Sequence, residues 1–452
     1  MPQSDVPGIV WPGLTSGTPA GRMLALQQQL GETQWLDPDA LRRRQFLQLD
    51  QLLAHAHRES PFYRQRLQAA GYRLDARLTE DLWAGIPLLT RNDIYVHGKS
   101  LRCQRLPAHH DPVTRIYSTG STGRPITAYQ SQISQFFWAA FTLRDHFWHN
   151  RDFSGSAAAI RFVRKSSTAE GIRNENWGPA VAMLTSTGPG FELDIETPVE
   201  RQAEWLRQRN PDYLLTHPTN LTHLARYCLE NGIELPQLRG VITMAEVLDD
   251  EAIEACRAAW GVGVSDIYSA RECGYLALQC PEEGRYHVQS EGCLLEVLDG
   301  DRPCKPGQVG RVVVTPLHNF AMPLIREEMG DFAEVGEPCP CGRGLPVLKR
   351  ILGRVRNFLT LPTGEKFWPR LGNKSLNNVA PIELIQMVQT SLEHIEVRLV
   401  VSSEVSREDE VKLGEILLKK FGHPFSFTFT YHDEIPRGPG GKFEQFRSEL
   451  PS

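Results

Sequence analysis

Between residues 24 and 73 apolar and charged side chains recur at helical spacing. LALQQQLGETQWL, LRRRQFLQLDQLLAHAHRE and SPFYRQRLQAAGY each predict a helix. The residues before them, MPQSDVPGIVWPGLTSGTPAGRM, are rich in Pro and Gly and predict an irregular arm. In the middle of the chain short apolar runs alternate with longer amphipathic ones. PVERQAEWLRQRN, PTNLTHLARYCLENG and LDDEAIEACRAAWG carry the helical period, while LRGVITMAEV, VSDIYSA, EGCLLEVLD and GRVVVTPL read as strands. Strand, helix and strand at that pace predict parallel α/β layers. The pattern restarts after RILGRVRNF: IELIQMVQT and HIEVRLVVSS predict strands, SREDEVKLGEILLKKFG a helix, and FSFTFTYHDEI a strand. The expected fold is therefore α/β. A large N-terminal domain covers 1–352, with residues 1–80 mostly helical, and a small C-terminal α+β domain covers 353–452, joined near Gly353–Asn357. A length of 452 residues suits two or three domains better than one core.

Composition removes several function classes. A net charge of −5 gives no general attraction for nucleic acid or an anionic membrane surface. No apolar run reaches the ~20 residues that span a bilayer, and no basic start precedes an apolar core, so neither a membrane span nor a secretory leader is expected. Nine cysteines, an odd number, argue against a disulfide framework and for a reducing, cytoplasmic setting. Their spacing adds a metal hypothesis. Cys339 and Cys341 form a tight pair, and Cys280 and His287 lie upstream, which together make a Cys₃His set suited to structural Zn²⁺. Packing as small apolar groups is the alternative. Cys273 is a competing ligand, although its place beside Glu272 points elsewhere.

One loop stands out. YSTGSTGRPI (117–126) carries almost no side-chain bulk and many hydroxyls. Such a loop lets backbone N–H groups approach an anion closely, which suits polyphosphate, but on composition alone it serves equally as a solvated linker. Its spacing is neither GxxxxGK[ST] nor GxGxxG.

Five further segments widen the comparison. YSTGSTGRP resembles the phosphate loop of the adenylate-forming superfamily, which implies nucleotide contacts from Ser118, Thr119, Gly120, Ser121, Thr122 and Gly123, with Thr119 among the catalytic groups. DIYSARECG (266–274) resembles that superfamily's aromatic-x-x-x-Glu segment. The resemblance implies nucleotide-binding roles for Asp266 and Tyr268, the latter against adenine, and Mg²⁺ held by Glu272. TMAEVL implies Ala245 and Glu246 beside the adenine, MGDFAEV implies Asp331 on the ribose, and ILGRVRNFL implies a hinge whose Arg354 reaches the nucleotide. IPRGPGGKF implies Lys442 as the adenylating lysine. PCPCGRGLPVLKRILGR and the short C-terminal domain resemble the phenylacetate–CoA ligase branch, and LPTGEKFWP and IELIQMVQ its CapK-like members.

The resemblance implies an AMP-forming ligase with an adenylation core at 1–352 and a mobile lid at 353–452. Such an enzyme would use ATP and Mg²⁺ to turn a small carboxylic acid into an acyl-adenylate, and pass the acyl group to CoA, a carrier-protein thiol or an amine; a nucleotide-binding homologue without turnover is the alternative. A homodimer is among the assemblies it allows. FFWAAFTLRDHFWHN (136–150) could wall a pocket for an aromatic or apolar acid, or be a buried amphipathic helix. His217 and Thr219 are candidate polar contacts for that acid. Two departures bear on the second step. Arg356 stands where the hinge usually has Asp, and LPTGEKFWPRLG replaces the stretch that lines the thiol tunnel in the CoA ligases.

Overall fold

The computed structural model of the chain describes residues 4–14, 17–117, 126–163, 170–354, 357–369, 374–438 and 441–450. The helices expected early in the chain form as Pro19–Thr33, Pro38–Glu59 and Pro61–Ala69. Each starts on proline, whose missing N–H costs nothing at a helix start. Thr18, Asp37 and Ser60 cap them by accepting from the N–H of Gly21, Ala40 and Tyr63. The arm before them has no regular structure over residues 4–14, yet Val6, Ile9, Trp11 and Leu14 are buried. Without a ladder its backbone groups need side-chain partners. The Gln48 amide accepts from Val10 and Trp11 N–H and donates to Gly8 O, and the Gln29 amide does both for Gly13.

The chain divides into two compact units, neither continuous in sequence. The first comprises residues 1–156, 174–190 and 265–351. Its strands pair antiparallel wherever a register is defined: Cys293–Asp299 with Val309–Pro316, that strand with Glu327–Val335, and Tyr286–Val288 with both Val347–Arg354 and Gly274–Gln279. Gly274–Gln279 also pairs with Val264–Ala270. The expected parallel layering fails here for a simple reason. A three-residue connection such as Arg271–Cys273 can turn a chain back but cannot carry a parallel crossover. The strands Val113–Tyr117 and Thr127–Ser131 pair antiparallel with Tyr117 opposite Thr127, which brings both ends of the Gly/Ser/Thr loop side by side.

The second unit comprises 157–173, 191–264 and 352–452. Here the parallel expectation holds. Ala157–Arg161, Tyr213–Thr216 and Gly240–Met244 are parallel neighbours, with the helices Val199–Arg209, Pro218–Glu230 and Asp250–Trp260 between and after them. Leu193, Leu206, Leu214, Leu224, Val241 and Cys256 are buried in one cluster. A second cluster, including Ile385, Met387, Ile395, Val397, Leu413 and Leu417, joins the helix Arg407–Phe421 to a four-stranded sheet. That sheet has the order Ser426–Tyr431, His394–Val401, Ile382–Ser391, Phe446–Ser448. The last short strand carried no periodic signal in the sequence.

Candidate active site

In the first unit Tyr268 projects from the strand Val264–Ala270, and its hydroxyl donates to Asp331 Oδ2 at 2.9 Å on the strand Glu327–Val335. Two residues 63 apart, each expected at the nucleotide, thus meet directly. Asp266 behaves differently. It is 3% exposed, and its carboxylate accepts from the Tyr286 hydroxyl at 2.7 Å. Burial and that carboxylate push the Tyr286 hydroxyl well above its usual range.

Glu272 follows in the turn after this strand and is buried. Arg271 is exposed, and its guanidinium reaches Tyr117 O at 3.5 Å. Beside Glu272 lies a residue with no signal in the sequence. Glu327 is 3% exposed, and its Oε2 accepts from the Cys273 thiol at 3.4 Å. Burial and the charge of Glu272 push the Glu327 carboxyl up to about 8. Burial, with Glu327 and Glu272 beside it, drives the Cys273 thiol well above its usual range too. Glu272 and the Glu327 carboxyl beside it offer hard oxygen donors that fit a divalent cation such as Mg²⁺, whose charge would favour the ionised form of Glu327.

The same turn borders a small, partly open recess of about 20 Å³, room for a water rather than a ligand. Phe137, Trp138 and Phe141 of the helix Gln132–Trp148 line it, together with Tyr275 and His318. Phe137 and His318 stack at 3.6 Å, and Trp138 meets Tyr275 edge-on at 5.6 Å. Burial holds the His318 ring neutral, down at about 3, so the walls are uncharged aromatic faces. Gly292 closes one side. A Cβ there would lie 2.4 Å from the Phe141 ring, so only glycine leaves that ring its place. The aromatic segment is thus a helix with Phe137, Ala140, Phe141, Leu143 and Trp148 buried, and three of its rings border the recess.

In the second unit Ala245 has φ +75°, a strained value for a residue with a Cβ, worth about 1–3 kcal/mol. Glu246 next to it is 5% exposed at its side chain. Its Oε2 accepts from Thr219 N at 3.1 Å and Thr219 Oγ1 at 2.7 Å, which caps the helix Pro218–Glu230, whose own N-cap side chain makes no bond. Its Oε1 accepts from the Phe443 amide at 2.6 Å, with His217 Nδ1 and Arg437 Nη1 each at 3.5 Å. Burial alone would raise this carboxyl, but His217, Arg437 and the Phe443 amide outweigh it and hold it down at about 2. Arg437 also donates to Thr219 Oγ1 and Gly441 O, at 3.1 and 3.2 Å. Lys442 lies between Gly441 and Phe443 in this tight loop. Thr219 and His217, expected at an acid pocket, are thus engaged by Glu246 and the terminal loop.

At Gly353, φ +80°, a Cβ would come within 2.9 Å of the Trp368 ring and 3.2 Å of Val247. Arg354 N–H donates to Asn357 Oδ1 at 3.2 Å, and Asn357 donates to Phe446 O at 2.6 Å. Ser118, Thr119, Gly120, Ser121, Thr122, Gly123 and Arg356 lie outside the described residues. The remaining candidates fall into two groups: Asp266, Tyr268, Glu272 and Asp331 in the first unit, and Ala245, Glu246, Arg354 and Lys442 in the second.

The cysteine set assembles in the first unit. The donor atoms of Cys280, His287, Cys339 and Cys341 all lie within 4.8 Å of one another. Cys280 Sγ and Cys339 Sγ are 3.9 Å apart, and Cys341 Sγ is 3.3 Å from His287 Nε2. Zn–S bonds of about 2.3 Å at tetrahedral angles put sulfurs roughly 3.8 Å apart, so the spacing fits zinc. Burial lowers His287 to about 4 and keeps it neutral, as a metal ligand must be. Burial pushes Cys339 up to about 12; it also works upward on Cys341, but hydrogen bonds with Arg343, Cys339 and Cys280 outweigh it and hold that thiol low.

Residues 373–449 match the family model of the CapK C-terminal domain. Protein CapK of Staphylococcus aureus is 27% identical over 254 residues, 52% of this chain and 53% of its own length, so the chain spans about half of that relative. A phenylacetate–coenzyme A ligase of Thermus thermophilus is 26% identical, over 92% of this chain and 98% of its own. Among solved structures, 2-hydroxyisobutyryl-CoA ligase in the postadenylation state, in complex with R3-HIB-AMP, has a TM-score of 0.72. It is 19% identical and covers 92% of this chain and 90% of its own. Anthranilate CoA ligase with anthranoyl-AMP has a TM-score of 0.55 at 14% identity, over 81% and 74%. Among the described residues no helix is long and apolar enough to cross a membrane.

Proposed function

We propose, from its place among the adenylate-forming ligases of the phenylacetate–CoA ligase and CapK-like branch, that this chain activates a carboxylic acid with ATP. A carboxylate oxygen attacks the α-phosphorus, the bond to the β-phosphate oxygen breaks, and pyrophosphate leaves with that electron pair. In a second step a thiolate attacks the acyl carbon and AMP departs. The observation that carries the reading is the pairing of Tyr268 with Asp331 one turn from the buried Glu272, in a chain whose relatives are named as ligases of this kind.

In this reading Tyr268 faces the adenine, Asp331 holds the ribose, and the backbone donors of Ser118–Gly123 hold the outgoing phosphates. Glu272 would hold Mg²⁺, with Glu327 beside it. When bound, the cation offsets the negative charge of the phosphates. Lys442 bridges the acid's carboxylate and the α-phosphate, and Arg354 reaches the nucleotide from the hinge. The segment 353–452 acts as the lid. The uncharged aromatic faces of Phe137, Trp138, Phe141 and Tyr275 suit an aromatic or otherwise apolar acid, for which the small recess they line would have to widen. The test is ATP–pyrophosphate exchange with a panel of aryl and alkyl acids. Exchange should rise with planar aromatic acids, and a folded protein that exchanges with none sinks the reading.

CoA is the first acceptor. The altered stretch LPTGEKFWPRLG, where the CoA ligases line their thiol tunnel, keeps a carrier-protein thiol or an amine as the alternative. Offering all three to the adenylate and weighing the products separates them.

Cys280, Cys339, Cys341 and His287 would hold structural zinc, which ties the turn after Gly274–Gln279 to the Cys339–Gly342 turn. Purified protein is expected to contain about one zinc per chain by elemental analysis, and Cys280→Ser to lose it together with thermal stability. Metal-free wild type that melts at the same temperature would remove the assignment.

A further inference from the structure

The geometry points to a latch: Glu246, His217, Thr219 and Arg437 fasten the backbone on both sides of Lys442 and so set where that lysine stands during adenylation. The inference rests on the ligase reading for its consequence, but not for the fastening itself. All of these residues belong to the second unit.

The contacts bracket one residue. Before Lys442, Gly441 O accepts from His217 Nδ1 at 3.2 Å and from Arg437 Nη1 at 3.2 Å. After it, Phe443 N–H donates to Glu246 Oε1 at 2.6 Å. The loop is also tied to itself, with Gly438 N–H donating to Lys442 O at 2.7 Å and Gly441 N–H to Gly438 O at 3.1 Å. Gly441 has φ +74°, and a Cβ there would lie 2.6 Å from Ile195 Cγ2, so the loop packs closely where it is held. The carboxylate at the centre cannot be left bare at low cost. It is buried, and its other oxygen is already committed to the start of the helix Pro218–Glu230.

The consequence is directional. When the loop departs, Glu246 loses the Phe443 amide and Arg437 together, so the latch favours the docked loop by the strength of those two contacts. Thr219 and His217 stay with Glu246 when the loop leaves, whereas the Phe443 amide and the Arg437 guanidinium reach it only while the loop is docked. Arg437, a loop residue with no assigned task, becomes a positioning residue that acts through Lys442 and does not touch the reacting atoms. Glu246, expected at the adenine, has both side-chain oxygens engaged by protein groups.

Hydrogen–deuterium exchange on the full chain, without nucleotide or acid, is the first test. Glu246→Gln and Arg437→Met should each speed exchange at the Phe443 amide by about tenfold or more. Peptides from the helix Arg407–Phe421 should stay unchanged, which shows that the fold is intact. Unaltered exchange at Phe443 in both variants overturns the latch. The second test uses ATP–pyrophosphate exchange with phenylacetate as the probe acid. Arg437→Met should lower kcat by about 10–100-fold with KM for ATP within about threefold, and Arg437→Lys should recover part of it. A change carried by KM with kcat intact means that the cluster serves nucleotide binding, and overturns the proposal. The deuterium experiment needs no substrate, so a wild type that exchanges no pyrophosphate sinks the ligase reading while the fastening is judged separately.

Discussion

Lys442→Ala is expected to lower ATP–pyrophosphate exchange by about 10²–10³-fold while the protein stays folded. The chemistry brings an anionic carboxylate to an anionic phosphate, and little covalent work falls to the protein, so one positioned positive charge carries much of the barrier reduction. An ammonium on a flexible stem meets that need as a point charge. The planar guanidinium of Lys442→Arg would offer a different shape, and little recovery is expected from it. The surroundings suit the task. Gly441, at φ +74°, lets the chain turn tightly before the lysine, and the contacts at Gly441 O and Phe443 N fix the backbone at both sides. Hydrolysis or acyl transfer from a chemically made adenylate should be much less affected, because that step no longer joins two anions. Exchange within about threefold of wild type for Lys442→Ala would mean that another group supplies the charge.

Arg144→Met is expected to cost about 3–5 kcal/mol of stability, read from denaturant midpoints. Arg144 lies in the helix Gln132–Trp148, 3% exposed at its side chain, against Glu291 at 0%. Its Nη1 donates to Gln289 Oε1 and Glu291 Oε2 at 2.9 and 3.0 Å, and its Nη2 to Glu291 Oε1 and Leu30 O at 2.8 and 2.6 Å. Thr33 Oγ1 donates to Glu291 at 2.7 Å. Methionine would fill much of the space and leave the carboxylate buried with one remaining side-chain donor. The cost comes from that stranded charge rather than from the worth of the pair. Arg144→Met combined with Glu291→Leu should therefore regain most of the loss. A single variant within about 1 kcal/mol of wild type would show that water reaches Glu291. The same helix lines the aromatic recess, so the single variant should also weaken exchange with aromatic acids.

Much of the fold was legible because it depends on local spacing. The helices before residue 73, the strand Gly240–Met244 and the helix Arg407–Phe421 follow from periodicity. The antiparallel pairing of the first unit was not legible. Strand direction depends on how connections run in space, and an apolar run such as EGCLLEVLD reads the same either way. In the site, Tyr268, Asp331 and the cysteine set could be picked out because each sits in a short segment of distinctive composition. Glu327 could not be. It lies in REEMGD among ordinary acidic residues, and its weight comes from burial beside Glu272 and Cys273.

The sequence by itself determined the early helices, several of the strands, the helix after residue 406, and which residue types could be offered to an anion or a metal. Those follow from periodicity, turn chemistry and residue type, which are properties of neighbours along the chain. Only the tertiary structure decided which of these groups are already committed. Glu246 is engaged by Thr219, 27 residues away, and by Phe443, 197 residues away, and Arg144 by Glu291 at a separation of 147. A buried polar group takes its role from whatever donor or charge the fold sets within about 3 Å of it, because inside a protein an unmet charge costs more than a met one contributes.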